Sequence, residues 1–432
     1  MHSLSTLNIP IGATTTRRSR LFLYALVLMF LPIGAGAVES GEGSALRASL
    51  WGILYVIAAY RLFVRDQVTL PEFVAGIGGP MLVLLAFIGL SVLWSAEPDI
   101  SSRRGIQVAG LVFVALAATL RAHGGSIQSD LRAAVALLLI ASAVIIVLFP
   151  KWGIAENGWR GITTQKNTFG QLCVLGLIAF WFSTTKGGIH AFMRFFWILV
   201  CIAGLILSRS VTSGIALAGA IGVVLIGIAW RAYKGSWRPA LIVFLCVVAI
   251  ALHATVVFHG FPDLFRALED GLAVFGRDTT LTGRVTLWKV MLDHADKHAL
   301  FGQGYGSFWI GFTGGAKQVA LTVGWGYPGQ AHNGWVDIYN EIGLVGLALV
   351  VVMLLNHAWT LIRLTRTAPE AARFHWALFI GLVLSNSAES LILRFTHPVW
   401  LVFVVSLIEC RLLLRTHLSK ADVAVEKARY SQ

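Results

Sequence analysis

The chain is 432 residues long, 57% hydrophobic and only 13% charged, with a net charge of +13. A soluble domain carries about 25% charged residues, so the composition excludes a soluble globular enzyme and points to an all-α, polytopic transmembrane helix bundle. The positive excess reads as topological, because no run of Lys and Arg interleaved with aromatics offers a nucleic-acid groove.

Twelve apolar stretches follow one another along the chain, near 21–37, 48–64, 76–95, 105–121, 131–150, 168–184, 195–208, 212–230, 240–258, 341–362, 376–390 and 397–414. Each is expected to be a span. The first, with "RRSR" before it and "AGA" at 35–37, also has the outline of a signal peptide and is read as a retained span. Lys and Arg concentrate in 1–20, 61–75, 121–132, 185–194, 231–239, 363–375 and the C-terminal tail, which orients both termini toward the cytoplasm. The four cysteines, Cys173, Cys201, Cys246 and Cys410, lie singly inside apolar segments with no CxxC pair, as core or lipid-facing residues do.

Spans 1–9 therefore occupy residues 1–258, a large outer loop 259–340, spans 10–12 residues 341–414, and a cytoplasmic tail 415–432. A loop of that length is functional or disordered, and its Trp, Phe, Leu and Val content argues for folding. Helical spacing in "DLFRALEDGLAVF" (263–275) and "RVTLWKVMLDHADKH" (284–298), with Trp288, Met291, Leu292 and Ala295 on one stripe, predicts a small helical cap. Thr282 stands where it can cap the second helix.

Three outer segments concentrate polar side chains. "NGWRGITTQKNTFG" (157–170) offers Arg160, Gln165, Lys166 and Asn167. "TGRVTLW" (282–288) places Arg284 at a helix start, and "QAHNGWVDIYNEIGLVG" (330–346) sets His332 at the mouth of an apolar run. On a helix, Asn333, Asp337 and Glu341 share one face, with His332, Trp335 and Tyr339 beside it. Guanidinium forks grip phosphate oxygens; the bland alternative is that these chains snorkel to headgroups. His332, in a first helical turn, would be kept neutral by the dipole and able to accept a proton, or would serve as an interfacial anchor beside Trp335. Glu389 is an ionisable group at membrane depth, paired with Arg394 or with one of the outer arginines. "DHADKH" (293–298) has zinc-like histidine spacing without the glutamate of HExxH and reads as a solvated face. "GQGYGSF" (302–308) follows no strand and reads as a turn.

In this order the three segments resemble the O-antigen ligase and polymerase superfamily, and within it the exopolysaccharide polymerase-like members. The likeness is carried by "WRGITTQKNTFGQ" (159–171), "TGRVTLWKVML" (282–292) with "FGQGYGSF" (301–308), and "AHNGWVDIYNEIGLVG" (331–346), and "WSAEPDISSRRG" (94–105) adds to it. One departure is Gln165, where the family's loop often has a histidine. The resemblance implies a glycosyltransferase of the bacterial inner membrane, needing no metal and no cofactor, with its site facing the periplasm. Its donor would be a glycan on undecaprenyl diphosphate and its acceptor a sugar hydroxyl, with membrane lipids and no nucleic acid as surroundings. It implies Arg160 and Arg284 as diphosphate holders and His332 as the group that activates or orients the acceptor; beside them Lys166 is expected to join in binding the diphosphate, with Asn167, Asn333, Asp337, Glu341 and Glu389 in support. Polymerisation of exopolysaccharide or O-antigen repeat units is the expected reaction, and ligation of finished glycan to lipid A-core or a protein is the alternative. A transporter of solutes or lipid-linked sugars is the reading from another class; it is disfavoured because the polar groups gather at one face and the long loop has no counterpart in the first half.

Overall fold

A computed structural model describes residues 20–33, 44–120, 126–183, 187–232, 280–324 and 326–430. Its elements are helices α1 (Leu21–Phe30), α2 (Ala45–Ala59, continued by a π turn Tyr60–Arg65), α3 (Leu70–Ile77), α4 (Gly79–Leu90), α5 (Pro98–Thr119) and α6 (Ser126–Leu148). A two-residue hairpin, β1 (Ile154–Ala155) with β2 (Gly158–Trp159), precedes α7 (Lys166–Trp181), α8 (Gly188–Ser208) and α9 (Val211–Ala232). After the interval at 233–279 come α10 (Thr280–Ala295), α11 (Gly314–Val323), α12 (Gly334–Thr367), α13 (Pro369–Asn386) and α14 (Pro398–Tyr430). The expected span 240–258, the helix expected at 263–275 and Cys246 fall outside the described residues.

Among the described residues, five helices are long and apolar enough to cross a membrane, or six if the bent pair α3–α4 counts as one. The protein is an all-α membrane protein. One face of α8 exposes Ile189, Phe192, Phe195, Phe196, Leu199, Ile202 and Ile206, a surface that water would not tolerate and lipid does. By contrast α7 is buried from Phe169 to Phe180 and α14 from Val399 to Cys410, which fits segments that are apolar on nearly every face, with Gln171, Ser406 and Glu409 as polar exceptions. Helices α7 and α8 approach closely over small residues: a Cβ on Gly176 would lie 2.5 Å from the Cys201 sulfur, and one on Gly204 2.7 Å from that of Cys173. Cys173, Cys201 and Cys410 are buried and free, as their apolar settings predicted.

Two helices are broken. At Gly78 (φ 85°) the chain turns by 91° between α3 and α4. Within α12, Gly343 takes φ 66° and ψ −169°. Four backbone groups at the break are claimed by the loop before α11. Gln303 N–H donates to the Asn340 carbonyl at 3.2 Å and Gly304 N–H to that of Glu341 at 3.0 Å. In return, Leu344 N–H donates to Ala299 at 2.8 Å and Val345 N–H to Leu300 at 3.1 Å. A break at membrane depth is tolerable only with such replacement partners. The Gly343 break lies near the start of α12 and serves to dock a loop.

Helices α10 and α11 do form a separate small core, in which Leu287, Trp288, Met291 and Val319 pack with Phe308, Trp309, Ala331 and Val336. The stripe expected on α10 is the face that packs, with Trp288 Nε1 donating to the Ala331 carbonyl at 2.8 Å. Helix α10 runs from Thr280, so Thr282 falls within it instead of ahead of it.

Candidate active site

The segment between α13 and α14 is folded back by Asn386, whose Oδ1 accepts from the N–H groups of Leu391 (3.1 Å) and Ile392 (2.9 Å). Opposite it, α12 can start only with a glycine, because a Cβ on Gly334 would sit 2.0 Å from that same oxygen. This close approach brings the end of α13 against the start of α12 and sets Glu389, 4% exposed, beside residues 330–333.

Glu389 is the hub of the site. Its Oε1 accepts from Asn167 Nδ2 at 2.6 Å and faces Arg284 Nη2 at 3.4 Å. Its Oε2 accepts from Gln330 Nε2 at 2.9 Å and lies 3.0 Å from His332 Nδ1. Glu389 is buried, and the Arg284 charge with the Asn167 and Gln330 amides surrounds its two oxygens with groups that favour the ionised carboxylate. Arg284 Nη1 is further fixed on the Ala388 carbonyl at 2.8 Å.

An ionised carboxylate only accepts, so the hydrogen between it and His332 must sit on Nδ1. Gln330 Nε2, itself a donor 3.2 Å from the same Nδ1, then has its hydrogen directed to Glu389. In the neutral imidazole Nε2 then carries the lone pair, and no hydrogen bond engages it among the described residues. A carboxylate behind an imidazole that presents a free Nε2 is an arrangement that can take a proton from a hydroxyl. The helical reading of His332 needs correction. It precedes the N-cap, Asn333, and has a left-handed φ of 51°, so it lies off the helix face and its tautomer is set by Glu389 instead of by a first-turn dipole.

A second network braces the first. Arg394 Nη2 donates to Asp337 Oδ2 at 2.7 Å and its Nη1 lies 3.5 Å from Glu341 Oε1. Asp337 also accepts from Trp309 Nε1 at 2.7 Å, from Ala331 N–H at 3.1 Å and from the Ser390 hydroxyl. Glu341 accepts from Gly306 N–H at 3.1 Å. Of the two partners expected for Glu389, Arg394 is therefore engaged elsewhere, and an outer arginine, Arg284, takes the place. Asn333 caps α12 by accepting from Trp335 N–H at 3.1 Å. Arg104, from the "SSRRG" segment, holds the 306–309 loop by donating to the carbonyls of Gly306 and Trp309.

The cationic loop before α7 reaches the site through Asn167. Arg160 lies with its guanidinium carbon 4.6 Å from the Trp152 ring centroid and donates from Nε to the Trp152 carbonyl. Lys166 Nζ donates to the Asn157 carbonyl at 3.1 Å. Neither touches Glu389. Gln165 is the exposed N-cap of α7 and makes no side-chain cap. Arg209 was not among the residues expected from the sequence. It is exposed, left-handed (φ 51°), and immediately precedes Ser210, whose hydroxyl donates to Asn167 Oδ1 at 3.0 Å. Gly158 packs against it, since a Cβ there would be 3.3 Å from Arg209 Cβ. The signal available was an arginine in a short outer connection, against the charge bias. Gln330 was also missed, for want of any periodic or motif cue.

Among the described residues no three His, Cys, Asp or Glu side chains are placed to hold a metal ion. In "DHADKH", Asp296 accepts from the Tyr339 hydroxyl at 2.6 Å, and His294 is packed beside Phe308.

Residues 195–351 match the sequence model of a family described as O-antigen ligase. That stretch contains Arg209, Arg284 and His332; Arg160, Lys166 and Asn167 precede it, and Glu389 follows it. The chain is also 27% identical over 275 residues to the exopolysaccharide production protein ExoQ of Rhizobium meliloti (strain 1021), an alignment spanning 62% of this chain and 62% of that protein. Both matches support the resemblance to the O-antigen ligase and polymerase group, and with it a membrane protein of that type.

Proposed function

We propose that the protein is a membrane glycosyltransferase that moves a glycan from a polyprenyl diphosphate carrier to a sugar hydroxyl. The observation that carries this reading is the His332–Glu389 pair set beside the Arg284 guanidinium. In the reaction, Nε2 of His332 accepts the proton of the attacking hydroxyl as its oxygen bonds to the anomeric carbon. The bond from that carbon to the diphosphate breaks, and the lipid diphosphate departs with the electron pair. Arg284 lies where it can stabilise that growing charge, and losing one such donor typically costs about 3 kcal/mol of transition-state stabilisation. Arg160, Lys166 and Arg209 supply further positive charge at the same end of the bundle and hold the diphosphate, so that guanidiniums do the work of a divalent cation.

The carrier is undecaprenyl diphosphate and the reaction is polymerisation of exopolysaccharide repeat units; the name of the ExoQ relative favours this product. Ligation to a lipid A-core acceptor is the second reading, favoured by the description of the matched family. The proposal retains twelve spans, with α10 and α11 as part of a periplasmic cap and both termini in the cytoplasm of the inner-membrane protein.

The test is purified full-length protein in nanodiscs, supplied with a lipid-linked oligosaccharide and chelator. Glycan transfer is expected, abolished by His332→Ala and Arg284→Ala; turnover by both variants at the wild-type rate would end the reading. Product chains growing by whole repeats indicate a polymerase, and single transfer to lipid A-core indicates a ligase.

A further inference from the structure

Gln330 lies in no recognised motif, yet its side chain is fastened at both ends beside the proposed base. Its Nε2 donates to Glu389 Oε2 at 2.9 Å, and its Oε1 accepts from the Ser390 backbone N–H at 3.3 Å. The anchoring matters because the terminal torsion of a glutamate is broad and stops at no single angle by itself. Glu389 has a cation on its other side, Arg284, with only one nitrogen in a loose 3.4 Å contact. A guanidinium favours a two-pronged grip on a carboxylate. Turning Glu389 to give Arg284 both oxygens would withdraw Oε2 from His332. The Gln330 amide is the donor that opposes this turn, since it claims Oε2 from the His332 side while its own carbonyl is tied to the Glu389–Ser390 backbone.

We propose that Gln330 is a positioning residue: it clamps Glu389 so that Oε2 faces Nδ1 of His332, which fixes the imidazole in the tautomer with Nε2 open to the acceptor hydroxyl. This rests on the proposed role of His332. The competing explanation is that Gln330 only packs the 326–333 loop, in which case its hydrogen bonds would not influence the histidine.

Gln330→Met keeps the length of the side chain and removes both hydrogen bonds; Gln330→Glu keeps the shape and replaces the donor with a like charge. Each full-length variant is prepared in nanodiscs with 15N-labelled histidine, and the His332 ring signals are assigned by their loss in His332→Gln. Wild-type protein is expected to show Nδ1 protonated and Nε2 unprotonated. In Gln330→Met the two nitrogens are expected to move toward averaged values as the tautomers mix, and in Gln330→Glu to move further. With a lipid-linked oligosaccharide as donor, kcat is expected to fall about tenfold to a hundredfold, the usual range for groups that orient an imidazole from behind, while KM for the donor is unchanged. Ring signals at their wild-type positions in either variant would overturn the inference even where activity falls. If instead the signals move but His332→Ala remains fully active, the clamp stands and the catalytic reading fails.

Discussion

Glu389→Gln is the most searching single substitution, because it preserves volume and alters only charge and one acceptor. In the native site the carboxylate accepts from Asn167 at 2.6 Å, Gln330 at 2.9 Å and His332 at 3.0 Å, and pairs with Arg284 at 3.4 Å. A glutamine can keep one acceptor oxygen for Asn167 and Arg284, but it must then present its NH2 to Gln330 and His332, both donors. The conflict is relieved when the imidazole changes tautomer, so that Nδ1 accepts and the proton moves to Nε2. That nitrogen is the one needed to receive the acceptor's proton. The loss of one charge-assisted hydrogen bond is worth about 1.5–3 kcal/mol, which is about 10–150-fold in rate. The tautomer reversal adds to it, with the roughly 10⁴-fold penalty of the analogous amide change in serine-protease triads as a ceiling. Turnover of lipid-linked oligosaccharide in nanodiscs is therefore expected to drop by at least about 10²-fold. KM for the donor is expected to hold, since Arg284 keeps its bond to the Ala388 carbonyl at 2.8 Å. A kcat within about threefold of wild type, a difference under 1 kcal/mol, would refute the role given to this carboxylate.

Two further outcomes follow from the same geometry. Gly343→Ala puts a methyl carbon 2.4 Å from the Leu300 carbonyl carbon at a φ of 66°, so the loop 299–304 should lose its dock on α12; thermal unfolding in detergent should show a clear fall in midpoint, and an unchanged midpoint would count against the break as a built feature. Arg394→Met strands the buried carboxylates of Asp337 and Glu341 and should cost about 3–5 kcal/mol, read as lost folded yield, with partial recovery when Asp337→Asn is added.

Much of the site was legible because its chemistry is local. Arg284, His332, Asn333 and Asp337 stand in short polar stretches against an apolar background, and that contrast is visible in one dimension. Asn167 and Glu389 were visible as polar groups, but their mutual bond spans 222 positions and no periodicity encodes it. Gln330 and Arg209 escaped notice because each draws its meaning from a neighbour supplied by another segment: Gln330 from Glu389 and Ser390, Arg209 from the Ser210–Asn167 bond and the Gly158 turn.

Composition alone settled that this is a helical membrane protein, because an apolar stretch of about 20 residues has no stable alternative to a helix in lipid. The order of polar clusters along the chain carried the resemblance that both comparisons support. Pairing was decided only by tertiary structure. Whether Glu389 faces Arg394 or Arg284, and whether His332 lies on a helix or ahead of it, depends on how the start of α12 meets the end of α13 across Gly334 and Asn386. Long-range packing sets that meeting, and the tautomer of the histidine follows from it.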